Sequence, residues 1–477
     1  MKLSAGFALL LLLIQQGKCQ EAELKGYADQ FAGESLIIRK ISNPISGDSE
    51  VVDTLRIEDN GSFRQRIKID QADWVFINTG IYRVTMLLRP GYGYEIFLPP
   101  KTEKSESDIR NPFFKPVFLH IRIKNEYPLN DTSITMEDND INTRIFRFDS
   151  LVAASNYRMV EAMRNHQAID PDSIINSIEQ HFKQEADRYF NDYRKFRYGL
   201  LRINSRDVGL QYIYEKYLWT DISQTRNPAW FELFSEMYSE FLFFYSRTDE
   251  GKSIKYLVNR KQDLHALKET LMNHPAVPDR GLAELIIIKE IFESYSANYF
   301  YREALLILLD SIIAAPEIED HARYAEGVKK YITRLNIGQP PPEFRLLNKE
   351  NVFRTLDDFS GKYVYLNFCT PDNYSCLKEF PFIKAMHEAH KKHLTIVTIM
   401  VTGEIENMTD FMKKNKYEWP ALFYGNDEKI LQDYKVRAFP TCYLIDPTGK
   451  LLQSPAALAT EGLEQQLFKI MRARGDL

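Results

Sequence analysis

The segments Asn367–Pro381 and Tyr434–Lys450 constrain the fold of the C-terminal third of the chain more than any other feature. The first continues an apolar strand, Tyr363–Phe368, and passes through a polar loop into a helix start. The second places Phe439-Pro440-Thr441 before an apolar strand and the turn Asp446–Gly449. A strand, a loop and a helix, followed later by a second loop and a hairpin, indicate an α/β domain.

From Ile337 to the C-terminus the sequence resembles the exported TlpA-like thioredoxin family. In that family two cysteines separated by two residues open the helix; Asn373 stands in place of the first and Cys376 holds the second. The resemblance implies a thioredoxin-like fold, thiol-disulfide exchange with envelope proteins and a cis-proline groove. It is carried by Pro342-Glu343-Phe344, Leu356–Lys362, Asn367-Phe368, Lys378-Glu379, Pro381 and Val436–Thr441.

Asn373 changes the chemistry that this site can perform. Reduction of a disulfide needs an exposed, low-pKa thiolate that attacks the target sulfur, and a second thiol that resolves the mixed disulfide. An amide side chain is neither an ionisable thiol nor a nucleophile. The two-step dithiol cycle therefore cannot run through Asn373 and Cys376.

Three interpretations of the cysteines remain open. Cys376 could form an unusual redox couple with Cys369, which requires Cα atoms within about 7 Å. The domain could instead have lost catalysis and act as a binding module, whose groove at Phe439, Pro440 and Thr441 accepts an extended segment of an envelope protein. In the third interpretation, Cys376 and Cys442 are small buried hydrophobic residues. We favour a binding or scaffold function, with the redox couple as the alternative.

Glu379 and three histidines complete the candidate residues. Glu379 lies one turn after Cys376, where the family carries a glutamate near its redox pair. Because the nucleophile is missing, we expect a salt bridge or a capping contact there. On a helix, His387 and His390 can share a face, but His393 lies well round from His387, so we expect a solvated helix end and not a metal site. The sequence predicts no cofactor and no metal ligand.

The N-terminal segment has the features of an export signal. Lys2 precedes an apolar run that ends at Ile14, and Gly17-Lys18-Cys19 forms a small-x-small cleavage site. We expect residues 1–19 to be removed and the mature chain to lie in the periplasm. A lipoprotein is the less favoured alternative, because the residue before Cys19 is a lysine. No other segment is long and apolar enough to span a membrane.

Length and composition predict a multidomain globular protein. A chain of 477 residues is too long for one core, and 44% hydrophobic residues can fill several. The net charge is −5, with acids and bases interspersed, so the basic stripe typical of nucleic-acid binding is missing. We expect a protein or peptide partner and no nucleic acid.

The predicted fold class is multidomain α+β. A β-sandwich-like domain over 20–130, a helical domain over 136–335 and a thioredoxin-like α/β domain over 338–477 are expected from strand, helix and linker patterns. The proline-rich segment Gly338–Phe344 indicates the last boundary.

Two local patterns support this division. In the first domain, strands at Leu36–Ile41 and Phe63–Ile69 are expected on either side of a turn at Asp59-Asn60-Gly61. In the second, Asp170-Pro171 predicts a helix start, followed by an apolar stripe that runs from Ile174 to Phe196.

Overall fold

The computed structural model describes residues 21–476 apart from 110, 131–139, 168–169, 184, 206–207, 219–225, 298 and 426–427. The expected export signal and Cys19 lie outside the described residues. The fold is multidomain α+β as predicted, with strand-rich sheets first, helices next and an α/β sheet last.

The N-terminal part consists of strands in two sheets. The elements are β1 (Glu21–Tyr27), β2 (Ser35–Asn43), β3 (Asp48–Arg56), β4 (Ser62–Lys68), β5 (Asp73–Thr79), β6 (Tyr82–Leu88), β7 (Tyr92–Phe97), the short helix α1 (Glu106–Ile109), β8 (Val117–His120) and β9 (Arg122–Pro128). The sheets have the orders β4-β1-β7-β9 and β3-β2-β5-β6-β8. Leu24, Ile38 and Ile67 belong to a buried core that both sheets share. The two sheets therefore pack face to face as a sandwich.

The turn at Asp59-Asn60-Gly61 lies between the two expected strands, and it joins β3, a further strand that follows β2, to β4. The pattern missed β3 because most of its side chains are polar and only Leu55 is buried. β3 lies at the edge of its sheet, where polar side chains are well tolerated. Gly61 supplies the positive φ of 82° that the turn requires.

The central part is helical. Its helices are α2 (Ile141–Arg164), α3 (Pro171–Glu179), α4 (Arg188–Ser205), α5 (Leu210–Ile213), α6 (Pro228–Met237), α7 (Phe241–Tyr245), α8 (Ile254–Tyr256), α9 (Leu264–Met272), α10 (Arg280–Ser294), α11 (Arg302–Ala314) and α12 (Glu319–Thr333). Their apolar faces form one core, to which the sandwich contributes Ile45 and Leu87. Helices and sandwich are thus packed against each other.

The apolar stripe from Ile174 to Phe196 is divided between α3 and α4, and not carried by one helix. Asp170 caps α3 by accepting hydrogen bonds from two backbone N–H groups of its first turn. Asp187 then accepts a hydrogen bond from the backbone N–H of Phe190 and starts α4. Phe182 lies between the helices, with its ring centroid 5.4 Å from that of Phe190. Because the Phe182 ring packs in the core, the apolar stripe in the sequence continues across the break between α3 and α4.

The C-terminal part is one sheet with helices. Its elements are β10 (Leu346–Asn348), β11 (Phe353–Arg354), β12 (Tyr363–Cys369), α13 (Tyr374–His390), β13 (Leu394–Met400), α14 (Ile405–Lys414), β14 (Ala421–Phe423), α15 (Glu428–Asp433), β15 (Thr441–Ile445), β16 (Leu451–Gln453) and α16 (Leu463–Arg474). The strand order is β11-β10-β14-β13-β12-β15-β16. β12 is parallel to β13 and antiparallel to β15, and all its residues are buried. Alternate residues of β12 contribute to two cores, one on each face of the sheet.

Most residues of each core come from one of these three parts, and on this basis we propose domains at 20–130, 136–335 and 338–477. Within the described part of the chain, no helix combines the length and apolarity that crossing a bilayer demands.

Candidate active site and groove

The candidate site lies where β12, α13 and β15 meet. β12 ends at Cys369, and α13 begins immediately after Asn373. Phe368 pairs with Thr441 across β12 and β15, so the loop that carries Phe439-Pro440 lies beside the loop that leads to α13. The Phe439–Pro440 peptide bond is cis. The structure thus brings together residues that are far apart in the sequence.

Asn373 acts as the N-cap of α13. Its backbone is extended, and its Oδ1 accepts a hydrogen bond of 3.2 Å from the backbone N–H of Cys376. Capping of this kind satisfies one of the free donors at a helix start. At this position the side chain therefore stabilises the helix and offers no nucleophile.

Cys369, Cys376 and Cys442 are free thiols, and all three are buried. The side chains of Cys369 and Cys376 are hydrogen bonded to each other. This bond from Cys369 lowers the pKa of the Cys376 thiol, although burial opposes the shift and Thr370 adds further hydrogen bonds. Burial raises the pKa of Cys369 well above its usual value. Cys376 is therefore the thiol of this pair that ionises first.

Cys442 lies in β15 on the same face of the sheet as this pair. Burial raises its pKa to about 12, although a hydrogen bond with Tyr365 lowers it. A thiol with so high a pKa stays protonated at neutral pH and is a poor nucleophile. Cys442 therefore behaves as a small buried side chain.

Glu379 is buried one turn after Cys376. Its carboxylate accepts hydrogen bonds from the backbone N–H of Thr460, at 3.0 Å, and from the Thr460 hydroxyl. Of the two contacts that the sequence suggested, a salt bridge is not found among the described residues. The carboxylate instead holds the turn at residues 459–461 against α13.

The groove residues are partly exposed. Phe439 packs against the cores on both faces of the sheet, and the Thr441 hydroxyl donates to the Ala438 carbonyl over 2.7 Å. Sequence reasoning missed Tyr374, which is 80% exposed, and Leu377, which is 41% exposed. The signal was available, because residues 374 and 377 are neighbours on a helix surface.

The three histidines are not grouped around a common point. His390 Nε2 lies 2.7 Å from Glu464 Oε1, and the ring of His387 lies 5.9 Å from that of Trp419. Among the described residues, no group of three or more His, Cys, Asp or Glu side chains is arranged to hold a metal ion.

A buried thiol at a helix start, beside a proline loop on a mixed sheet of this order, defines a thioredoxin-fold domain. The AhpC/TSA family model matches residues 337–454. The chain is 32% identical over 143 residues to thiol-disulfide oxidoreductase ResA of Bacillus thuringiensis subsp. konkukian, a match that covers 29% of this chain and 80% of that protein. It is 28% identical over 140 residues to ResA of Bacillus subtilis, covering 28% and 75% respectively.

A solved thioredoxin domain of a thiol-disulfide oxidoreductase from Bacteroides vulgatus is 24% identical. It aligns with a TM-score of 0.27 over 28% of this chain and 96% of the solved one. Through its C-terminal domain the chain belongs to the family of ResA and TlpA-like thiol-disulfide oxidoreductases.

Proposed function

We propose that the C-terminal domain is a binding or scaffold module that no longer performs dithiol exchange. The hydrogen bond from the Cys376 N–H to the Asn373 amide carries this proposal, because it places a helix cap where the mechanism needs a thiol. Burial supports it as well, since Cys376 has no exposed surface with which to attack a protein disulfide.

The groove at Phe439, Pro440 and Thr441 supplies the binding surface in this proposal. Tyr374 and Leu377 add exposed apolar area at the start of α13, and aromatic side chains are frequent anchors in protein interfaces. The partner is an extended segment of an envelope protein, held by backbone hydrogen bonds beside the groove.

A reduction assay tests the loss of activity. The full chain should not accelerate the reduction of insulin by dithiothreitol, and the Cys376→Ser variant should behave identically. Acceleration that disappears in Cys376→Ser would overturn the proposal.

Binding is tested with a library of extended peptides. Tyr374→Ala and Leu377→Ala should each weaken binding of the selected peptides. The dissociation constant should rise by about tenfold for a central anchor. Phe468→Ala is the matched control, because Phe468 is an exposed aromatic residue on α16 of the same domain. Equal losses in all three variants would show that the peptides bind elsewhere.

The second candidate is a redox couple of Cys369 and Cys376, which their hydrogen bond and the lowered pKa of Cys376 favour. In this reaction the two thiols lose two electrons and two protons, and glutathione disulfide is reduced to two glutathione molecules. A reversible crosslink between residues 369 and 376, retained in Cys442→Ser, would establish the couple. Its absence under oxidising conditions would exclude it.

We also propose export to the periplasm, based on Lys2, the apolar run to Ile14 and the small-x-small site before Gln20. N-terminal sequencing of the protein from an envelope fraction should begin at Gln20. Lipid on Cys19, detected by mass spectrometry, would contradict the proposal.

A further inference from the structure

A cleft of about 800 Å³ lies between the sandwich and two other parts of the chain. One wall is the outer face of the sheet that contains β2, β5, β6 and β8; the other is formed by the end of α12 and by α15. Ile37 and Phe118 expose 49% and 63% of their surface on the sheet wall. The volume is within the range of small-molecule sites, about 300–1,000 Å³.

Two arginines lie on this sheet wall. Arg39 is paired with Phe76 across β2 and β5, and Arg83 with Phe118 across β6 and β8. The guanidinium carbon of Arg83 lies 4.6 Å from the ring centroid of Phe76 and 5.4 Å from that of Phe118. The phenylalanine rings thus hold the guanidinium group against the sheet.

Neither arginine has a carboxylate partner among the described residues. Arg39 donates to the Ser49 hydroxyl at 3.1 Å and to the Ser49 carbonyl at 3.2 Å. Arg83 donates to the Asn78 amide oxygen at 3.0 Å. Burial lowers the pKa of Arg83, and the positive charge of Arg39 adds to this effect.

The opposite wall does not neutralise these charges. Asp433 there is already paired with Arg334, at 3.2 Å, and with Lys429, at 2.7 Å. Partly buried like charges are costly unless an anion compensates them. The planar guanidinium group also matches the geometry of carboxylate and other oxyanion groups.

We propose that this cleft binds a small organic anion, with its acidic group between Arg39 and Arg83 and its apolar body against Ile37 and Phe118. The site is distinct from the groove at Pro440 and does not depend on the function proposed for it.

Two dyes of the same shape test the charge requirement. 1-Anilinonaphthalene-8-sulfonate carries an anionic group, whereas N-phenyl-1-naphthylamine lacks it. Fluorescence titration of the full chain should show tighter binding of the sulfonate. Arg83→Gln should raise its dissociation constant about tenfold, as expected for loss of a charge-assisted hydrogen bond, and should leave binding of the neutral dye unchanged.

Arg122→Gln is the matched control, because Arg122 also stacks on an exposed ring, Phe97, at 5.2 Å, but on the other sheet. It should not change binding of the sulfonate. Equal binding of the two dyes, or equal losses in Arg83→Gln and Arg122→Gln, would overturn the proposal. Arg39→Gln is the second variant: if circular dichroism shows that Arg83→Gln does not fold, unchanged sulfonate binding in Arg39→Gln decides against the site.

Discussion

The Oδ1 atom of Asn373 accepts a hydrogen bond from the backbone N–H of Cys376, 3.2 Å away. This contact caps the start of α13 with a side chain that carries no thiol. The amide oxygen accepts this hydrogen bond but cannot attack a disulfide. Substitutions at position 373 can therefore separate local stability from redox chemistry.

Removal of the cap should destabilise the first turn of α13. We expect Asn373→Ala to lower the free energy of local opening by about 1 kcal/mol, the usual cost of losing an N-cap. Hydrogen exchange of the amides in residues 374–377 should become about fivefold faster. Asn373→Ser retains a capping oxygen and should leave exchange close to the original rate; equally fast exchange in both variants would show that the cap contributes nothing.

Asn373→Cys should rebuild part of a redox pair. The new thiol would lie at a helix N-terminus, where free N–H groups and the helix dipole stabilise a thiolate. The neighbouring charge of Asp372 should keep its pKa higher than it would otherwise be. We expect a reversible disulfide between residues 373 and 376 in glutathione buffers, detected by mass spectrometry.

Asn373→Ser is the control without a thiol, and adding Asp372→Asn to Asn373→Cys should speed formation of the disulfide. If residues 373 and 376 never crosslink while the fold is intact, Asn373 does not occupy the position of the missing cysteine.

The C-terminal fold could be predicted because its loops have specific sequences at fixed places, such as Asn373 to Cys376 and Phe439 to Thr441. The sequence left open whether Cys369 and Cys376 approach each other, because this depends on the face of β12 from which Cys369 projects and on the packing of α13 against that face. The hydrogen bonds of Glu379 were equally hidden, since Thr460 lies 81 residues away.

In the rest of the chain, the sequence pattern predicted strands in which buried and exposed residues alternate. It missed β3, because the side chains of β3 are mostly polar. The cleft at Arg39 and Arg83 could not be predicted from the sequence, because its walls are formed by separate strands and by helices that are distant in the sequence.

Loss of the Cys369 thiol should raise the pKa of Cys376. The hydrogen bond from Cys369 is the main cause of the lowered pKa of Cys376. Cys369→Ala removes this hydrogen bond, while burial, which raises the pKa, remains. Ultraviolet absorbance of the thiolate should appear at higher pH in Cys369→Ala than in the original chain. Cys442→Ala removes a thiol whose pKa burial raises to about 12, and it should leave this first transition in place. A transition unmoved by Cys369→Ala would refute the assignment.

Glu284 joins three helices of the central domain. Its carboxylate lies 3.1 Å from Lys268 Nζ in α9 and 2.8 Å from His321 Nδ1 in α12, and it accepts the backbone N–H of Glu317 at 2.9 Å. All three side chains are buried. Burial acts to raise the pKa of Glu284. The hydrogen bonds together lower the pKa by more than burial raises it, so the net pKa lies below its usual value.

Because the pKa of Glu284 is lower in the folded than in the unfolded protein, ionised Glu284 stabilises the fold at pH values above its unfolded pKa, about 4.3. This contribution should be lost as the pH falls through the folded pKa. At neutral pH, Glu284→Gln should cost about 2 kcal/mol, because it removes charge-assisted hydrogen bonds and leaves Glu317, 2.6 Å away, as the carboxylate partner of the buried Lys268. Glu269→Gln removes an exposed pair with Arg280 and should cost less than about 1 kcal/mol. Urea unfolding at several pH values measures both; the difference between Glu284→Gln and the original chain should shrink in acid, and a difference independent of pH would contradict the role of the Glu284 charge.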